Sequence, residues 1–332
     1  MRIIKENFKF ILVIIISLLI CYIKFPYYID APGGITNMNE KIEIDGYKSK
    51  GSFNLAYVKE YEATLPTMLI SLVNRNWNLI KQEEVLLDTE DAKSYAYRDK
   101  ILMDESISNA IYVAYTKANK KINIISNKLL VLYLAESSNT NLKVGDEIIS
   151  INNKKIQNKE DITDIVNNCN IGDKIEIKVI NNDKEYNRYA YIINEENSKK
   201  IGILISNIKE YDTNPKVKVN VDKNESGSSG GLITALSIYD SLVEKDITNG
   251  LTIVGTGTID LDGNIGSIGG VEYKLKSAVK EKADLFIVPN DENYKEALKI
   301  KKENNYNIEI IGVSTFDEVI DYFDKECKFN EN

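Results

Sequence analysis

The chain has 332 residues, 43% hydrophobic and 28% charged, a globular composition with length for about two domains. Its net charge of −8 argues against a nucleic-acid binder, because phosphate contacts need clustered Lys and Arg. Histidine is absent, which excludes a Ser-His-Asp triad, a Cys-His protease and an H-E-x-x-H zinc site. No G-x-x-x-x-G-K-[ST] loop occurs, so ATP is not an obvious fuel; Cys21, Cys169 and Cys327 lie too far apart for a metal-ligand pair, no cofactor or metal is expected, and chemistry must rest on Ser, Lys, Asp, Glu or Tyr.

At the N-terminus, Phe10 to Ile23 read FILVIIISLLICYI, apolar except for Ser17. The run predicts a single-pass transmembrane anchor over 10–25, approaching the ~17–25 residues a spanning helix needs. Arg2, Lys5 and Lys9 precede it and only Lys24 follows closely, so residues 1–9 are expected in the cytoplasm and the body outside the cell membrane. A cleaved signal peptide is the alternative, but no small-x-small site follows, and Ile20 before Cys21 is bulky for lipoprotein cleavage. Of the remaining cysteines, Cys169 and Cys327 allow a disulfide, although Cys169 continues an apolar helical stripe as a small core residue would.

Residues 26–120 carry mixed patterning and read as a linker-like external region. Pro32-Gly33-Gly34 marks a turn, and the stretches 65–79 and 107–118 have helical apolar spacing. Residues 121–195 form a more legible unit. Leu142-Lys143-Val144-Gly145-Asp146-Glu147-Ile148-Ile149-Ser150-Ile151-Asn152 leads from a Gly-Asp turn into a strand. A helix follows with Ile162, Ile165, Val166 and Cys169 on one face, then a hairpin through Ile175, Ile177 and Val179. This L-x-x-G-D-x-I-x-x-I-N run resembles that of PDZ domains, which bind extended peptides along a sheet edge; a small α+β spacer sharing the turn is the alternative.

From about Ile201 strands and helices alternate. Asn224-Glu225-Ser226-Gly227-Ser228-Ser229-Gly230-Gly231 is a small-residue loop opening the helix that carries Leu232, Ala235, Leu236, Tyr239 and Val243. A serine there lies where free N–H groups and the helix dipole favour an oxyanion; alternatively Ser228 and Ser229 only cap the helix. Further on, a hairpin turning at Asp262-Gly263 leads through Gly269-Gly270 into a helix with the stripe Val271, Leu275, Ala278 and Val279. Lys274 points with that stripe, while Glu272, Lys276 and Lys280 face solvent. An inward lysine either snorkels or is desolvated into a neutral amine able to accept a proton from a serine, the Ser-Lys pair.

Three spaced motifs then agree with one family. Ser226-Gly227-Ser228-Ser229-Gly230-Gly231, Thr256-Gly257-Thr258-Ile259 and Ile268-Gly269-Gly270-Val271-Glu272-Tyr273-Lys274 resemble the D-G-P-S-A-G, T-G-x-I and I-G-G-x-x-x-K segments of the Lon proteolytic domain. The resemblance implies Ser229 as nucleophile, Lys274 as general base, and Thr256 and Gly230 in support, within a Lon-type domain at 200–325. Family members commonly carry Pro and Ala where this chain has Ser228 and Gly230, which leaves Ser228 as a rival nucleophile. The order of anchor, PDZ and Lon-type units resembles the YlbL-like membrane-anchored proteases of Gram-positive bacteria. The expected fold is thus α+β multidomain: an N-terminal transmembrane helix, a PDZ-like domain and a Lon-type α/β proteolytic domain. The expected activity is that of an ATP-independent serine endopeptidase acting on protein or peptide substrates outside the membrane, with room for a homo-oligomer. A catalytically inert adaptor of the same fold is the competing expectation.

Overall fold

Strands from both ends of the chain meet in one sheet. The computed structural model describes residues 7–243 and 245–330. After α1 (Phe8–Tyr22) come β1 (Lys24–Asn37), β2 (Ser52–Thr64), α2 (Leu65–Val73), β3 (Asn78–Lys81) and the long α3 (Ala92–Lys117). A smaller unit follows, with β4 (Lys121–Leu134), β5 (Glu147–Ile151), α4 (Lys159–Asn168), β6 (Lys174–Asn181), β7 (Lys184–Tyr191) and β8 (Ile203–Asn214). The remainder alternates α5 (Gly231–Leu242), β9 (Thr252–Gly255), α6 (Val271–Lys280), β10 (Leu285–Pro289), α7 (Glu292–Asn304), β11 (Glu309–Val313) and α8 (Phe316–Asn330).

The central sheet has the order β11-β10-β9-β2-β1-β3. Its first four strands run parallel, and β1 and β3 are antiparallel additions. Successive side chains alternate between two cores. Phe53, Ile253, Leu285 and Ile287 pack with residues of α3, α5 and α8, whereas Ala56, Val254, Phe286 and Val288 pack with α6 and α7. The result is a three-layer α/β/α body.

The region expected to be a linker therefore supplies half of this sheet. Phe53, Asn54 and Ala56 are all buried, so β2 shows no clean apolar–polar alternation to read. Pro32-Gly33-Gly34, expected as a turn, lies within β1, where the register shifts between Pro32 and Gly34 as in a bulge. The helix expected over 65–79 stops at Val73, and that expected over 107–118 begins at Ala92. Its stripe was hidden because Ser106 and Ser108 are buried among the apolar residues.

The smaller unit has the sheet order β8-β4-β5-β6-β7 around Val131, Ile148, Ile151, Ile175, Ile177 and Val179, with Ile162 and Val166 of α4 packed on it. Strands β4 and β8 pair along their length, from Lys121 opposite Asn214 to Leu134 opposite Ile203. The unit thus leaves and re-enters the main body on adjacent strands. Its Gly-Asp turn is structural: Asp146 is fully buried and accepts from the Lys143 N–H at 2.9 Å, Asn181 Nδ2 at 2.7 Å and Arg188 Nε at 3.0 Å. Cys169 is free and half-buried against this core; the side chain of Cys327 lies outside the described residues.

The predicted 10–25 membrane span needs correction. α1 has 15 residues, about 22 Å of helix against the ~30 Å of a hydrocarbon core, and the chain is already a β-strand at Lys24. Among the described residues no helix is long and apolar enough to cross a membrane. The apolar side chains of α1 are nevertheless solvent-exposed along its length.

Candidate active site

The serine loop ends where α5 begins, and α3 holds it in place. The Gly227 N–H donates to the Asp99 carbonyl at 3.0 Å, and the buried Ser106 hydroxyl donates to the Ser228 carbonyl at 2.8 Å. The N-cap of α5 is Gly230, with no side-chain capping bond, so neither Ser228 nor Ser229 serves as the cap. Ser229 is half-buried at the head of a helix whose first residues, Gly231 and Leu232, are buried. Close packing accounts for the two glycines. A Cβ on Gly230 would lie 2.9 Å from Leu55 Cδ2, and one on Gly231 would lie 2.5 Å from Ser106 Oγ and 2.8 Å from Ile259 Cγ2. Leu55 thus occupies the space that an alanine methyl would need at position 230.

Strand β9 delivers Thr256 to this loop. Thr256 is fully buried; its N–H donates to the Ile287 carbonyl at 3.0 Å and its hydroxyl to the Ser229 carbonyl at 3.1 Å. The Gly257 N–H also donates to the Ser229 carbonyl, at 2.8 Å. Two donors on one carbonyl fix the backbone that carries the Ser229 hydroxyl.

Helix α6 brings in Lys274. Its N-cap, Gly270, is left-handed at φ +68°, a conformation that favours glycine, and lets the helix start close over β2. Lys274 is 3% exposed, and its Nζ donates to Thr256 Oγ1 at 3.1 Å. Thr256 therefore links the amine to the backbone of Ser229, placing Nζ no more than two hydrogen-bond lengths from the Ser229 carbonyl oxygen. Burial, with no carboxylate to offset it, lowers the Lys274 pKa to about 7. Near neutral pH a substantial share of the amine is uncharged and can accept a proton.

The sequence thus led to Ser229, Gly230, Thr256 and Lys274, and the fold gathers all four, whereas Ser228 has its carbonyl pinned by α3. What the sequence did not reveal is the part α3 plays. Besides Asp99 and Ser106, its Asn109 Nδ2 donates to the Ile259 carbonyl at 3.1 Å. These residues form a polar ridge with no spacing signal, and only the folded chain shows them under the loop. Among the described residues no group of three or more His, Cys, Asp or Glu side chains is placed to hold a metal ion. A separate cleft of about 460 Å³ lies between the N-terminal part of α3 and the smaller unit, lined by Tyr97, Tyr133, Lys143, Asn182 and Arg188 among others.

Residues 142–323 match the Lon protease (S16) C-terminal proteolytic domain family. The chain belongs to that family. It is 25% identical to the Lon protease of Rickettsia typhi in an alignment 331 positions long that covers 91% of this chain and 39% of that protein. It is 38% identical to Lon protease 2 of Bacillus subtilis over 95 residues, 29% of this chain and 16% of that protein. The Lon-type chain accordingly spans about two-fifths of the length of the longest-matching of these curated relatives. Among solved structures, the PDZ domain of an SdrC-like protein from Listeria monocytogenes is similar at 18% identity over 23% of this chain and 85% of that one. Its TM-score of 0.22 is too low to carry an argument.

Proposed function

We propose that the chain is an ATP-independent, membrane-associated serine endopeptidase that cuts polypeptides with a Ser229–Lys274 dyad. The observation that carries this reading is the bond from the buried Lys274 amine to Thr256, whose hydroxyl in turn holds the Ser229 carbonyl. The neutral amine takes the proton of the Ser229 hydroxyl as its oxygen attacks the scissile carbonyl, and returns it to the leaving amine. Water then hydrolyses the acyl-enzyme, with Lys274 again receiving and returning the proton. Backbone N–H groups at the head of α5 stabilise the oxyanion, aided by the positive end of the helix. Independence from ATP is supported by the lack of a phosphate-binding loop in the 332 residues.

The membrane part of the reading rests on the exposed apolar surface of α1, with Phe10 67% and Leu19 60% exposed, and on Arg2, Lys5 and Lys9 preceding it. The smaller unit presents substrate in the manner of a PDZ domain, as the Gly-Asp motif and its sheet-and-helix composition support.

The test is cleavage of an unfolded protein such as casein. Wild type cleaves it, and Ser229→Ala and Lys274→Ala each lose at least a hundredfold in rate. A peptide boronate or phosphonate labels Ser229 in wild type. Equal cleavage by all three forms removes the dyad, and a stable, unlabelled, inactive wild type favours a non-catalytic adaptor.

A further inference from the structure

Near the serine loop lies a group of carboxylates that the reaction does not use. Asp30 on β1 and Glu60 on β2 are directly opposite each other in the antiparallel register, so they share a face. That face is the one that carries α6. Ala56 packs in the core with Val271 and Leu275, and Val58 lies 2.6 Å from where a Cβ on Gly270 would be; Glu60 is the next residue in the same alternation. Asp99 of α3 reaches the same place from the other side. Its Oδ2 is 3.9 Å from the position of a Cβ on Gly227, two residues before Ser229. Tyr95, one turn earlier on α3, donates its hydroxyl to Glu60 Oε2 at 3.1 Å.

Two buried atoms in this basin have no partner. Tyr273, the neighbour of Lys274 in sequence, is 5% exposed, and its hydroxyl makes no hydrogen bond; nor does Asp30 Oδ1. Burial first, and then the charges of Asp30 and Glu272, push the Tyr273 hydroxyl up to about 12. Glu60, although exposed as a residue, has its carboxyl pushed up to about 7, first by desolvation and then by the Asp30 charge. Asp30 and Asp99 are likewise raised by burial. The nearby cation, Arg98, hydrogen-bonds Glu90 at 2.6 and 3.1 Å, and its charge offsets only part of what burial does to Asp99. Like charges held opposite each other, with unfilled hydrogen-bonding atoms between a serine loop and a lysine helix, match a ligand that is cationic and rich in donors.

We propose that Asp30, Glu60 and Asp99, with the Tyr273 hydroxyl, form a substrate subsite that takes the cationic side chain of an arginine or lysine beside the bond to be cut. This rests on the peptidase reading for its role but not for its binding. A guanidinium or ammonium there donates to the carboxylates and neutralises their mutual repulsion, and the tyrosine hydroxyl supplies a further contact. Bound in this basin, the side chain fixes the register of the polypeptide against Ser229.

The experiment separates binding from cleavage by using the full chain carrying Ser229→Ala. Fluorescence anisotropy measures its affinity for a labelled peptide with one arginine among neutral residues, against the same peptide with citrulline, the uncharged isostere. The arginine is stepped along the peptide. The arginine peptide binds at least tenfold tighter when the residue occupies one position. Glu60→Gln with Asp30→Asn abolishes the preference while citrulline-peptide binding is unchanged, and Asp99→Asn alone weakens it several-fold. Equal affinity for the two peptides, a preference indifferent to position, or one that survives neutralisation overturns the subsite. A wild type that retains the preference but cleaves nothing would remove the peptidase reading and leave the subsite standing.

Discussion

Lys274 is where electrostatics and chemistry are tied together. Lowering an amine from its ordinary 10.5 to about 7 corresponds to on the order of 4–5 kcal/mol of unfavourable burial of its charged form. The neutral form accumulates above pH ~7, so kcat/KM should climb through a midpoint near 7 and level off above it; a profile flat from pH 6 to 9 would contradict a lysine base. The stability consequence has a definite sign. The folded state binds fewer protons than the unfolded state between about 7 and 10.5, so the Lys274 contribution to stability rises with pH across that window and is lost as pH falls through 7. Lys274→Met removes the charge and fills the same space. The variant should be inactive yet melt higher than wild type at pH 6, with the difference narrowing by pH 9. A difference of opposite sign, or one independent of pH, would show that the amine is not desolvated as its 3% exposure implies.

At the scale of elements, α3 and α5 form the frame of the site and meet through groups small enough to let them close. The head of α5 touches Ser106 and Ile259 so tightly that Gly231→Ala forces one of them to move. We expect a loss of ~1–3 kcal/mol, the usual effect of inserting a methyl into a packed contact, and a larger proportional loss of activity because the serine loop shifts with it. Gly269→Ala is the matched control: nothing lies within 4 Å of its Cβ position, and thermal melts should find it within ~0.5 kcal/mol of wild type. Equal melting of the two variants would mean that the helix head is free to adjust. The same elements show what a sequence does and does not disclose. Ser229 and Lys274 were legible because each belongs to a short local pattern, a small-residue loop or an inward position on an amphipathic helix, whereas Thr256 came only through the resemblance of Thr256-Gly257-Thr258-Ile259 to the T-G-x-I segment. Asp99, Ser106 and Asn109 were not, because a helix that buries serines against another chain segment has no apolar stripe at those positions. Asp30 and Glu60 were equally silent, since their meeting depends on the register of two strands separated by a loop.

For the whole molecule, the decisive fact is that the proteolytic body is discontinuous in sequence. The family match begins at residue 142, and the alternating pattern beyond residue 200 reads as a self-sufficient α/β domain, yet β2 is an interior strand of its sheet. It lies between β9 and β1, pairing parallel with Thr252–Gly255 and antiparallel with β1. Removing β1, β2 and α3 strips Phe53, Ala110, Val113, Ala114 and Tyr115 from one core and Ala56 from the other, and exposes the edge of β9 next to Thr256. A chain limited to 120–330 should therefore fail to fold as a unit, showing no cooperative thermal transition and no labelling of Ser229 by a boronate or phosphonate. A chain of 24–330, which lacks α1 and a few residues at either end, keeps every strand of both sheets and should melt cooperatively and label as the full chain does. If the shorter chain melted within a few degrees of the longer one, the first ninety residues of the body would be an appendage after all, and the acidic basin they contribute would have to be judged as one too.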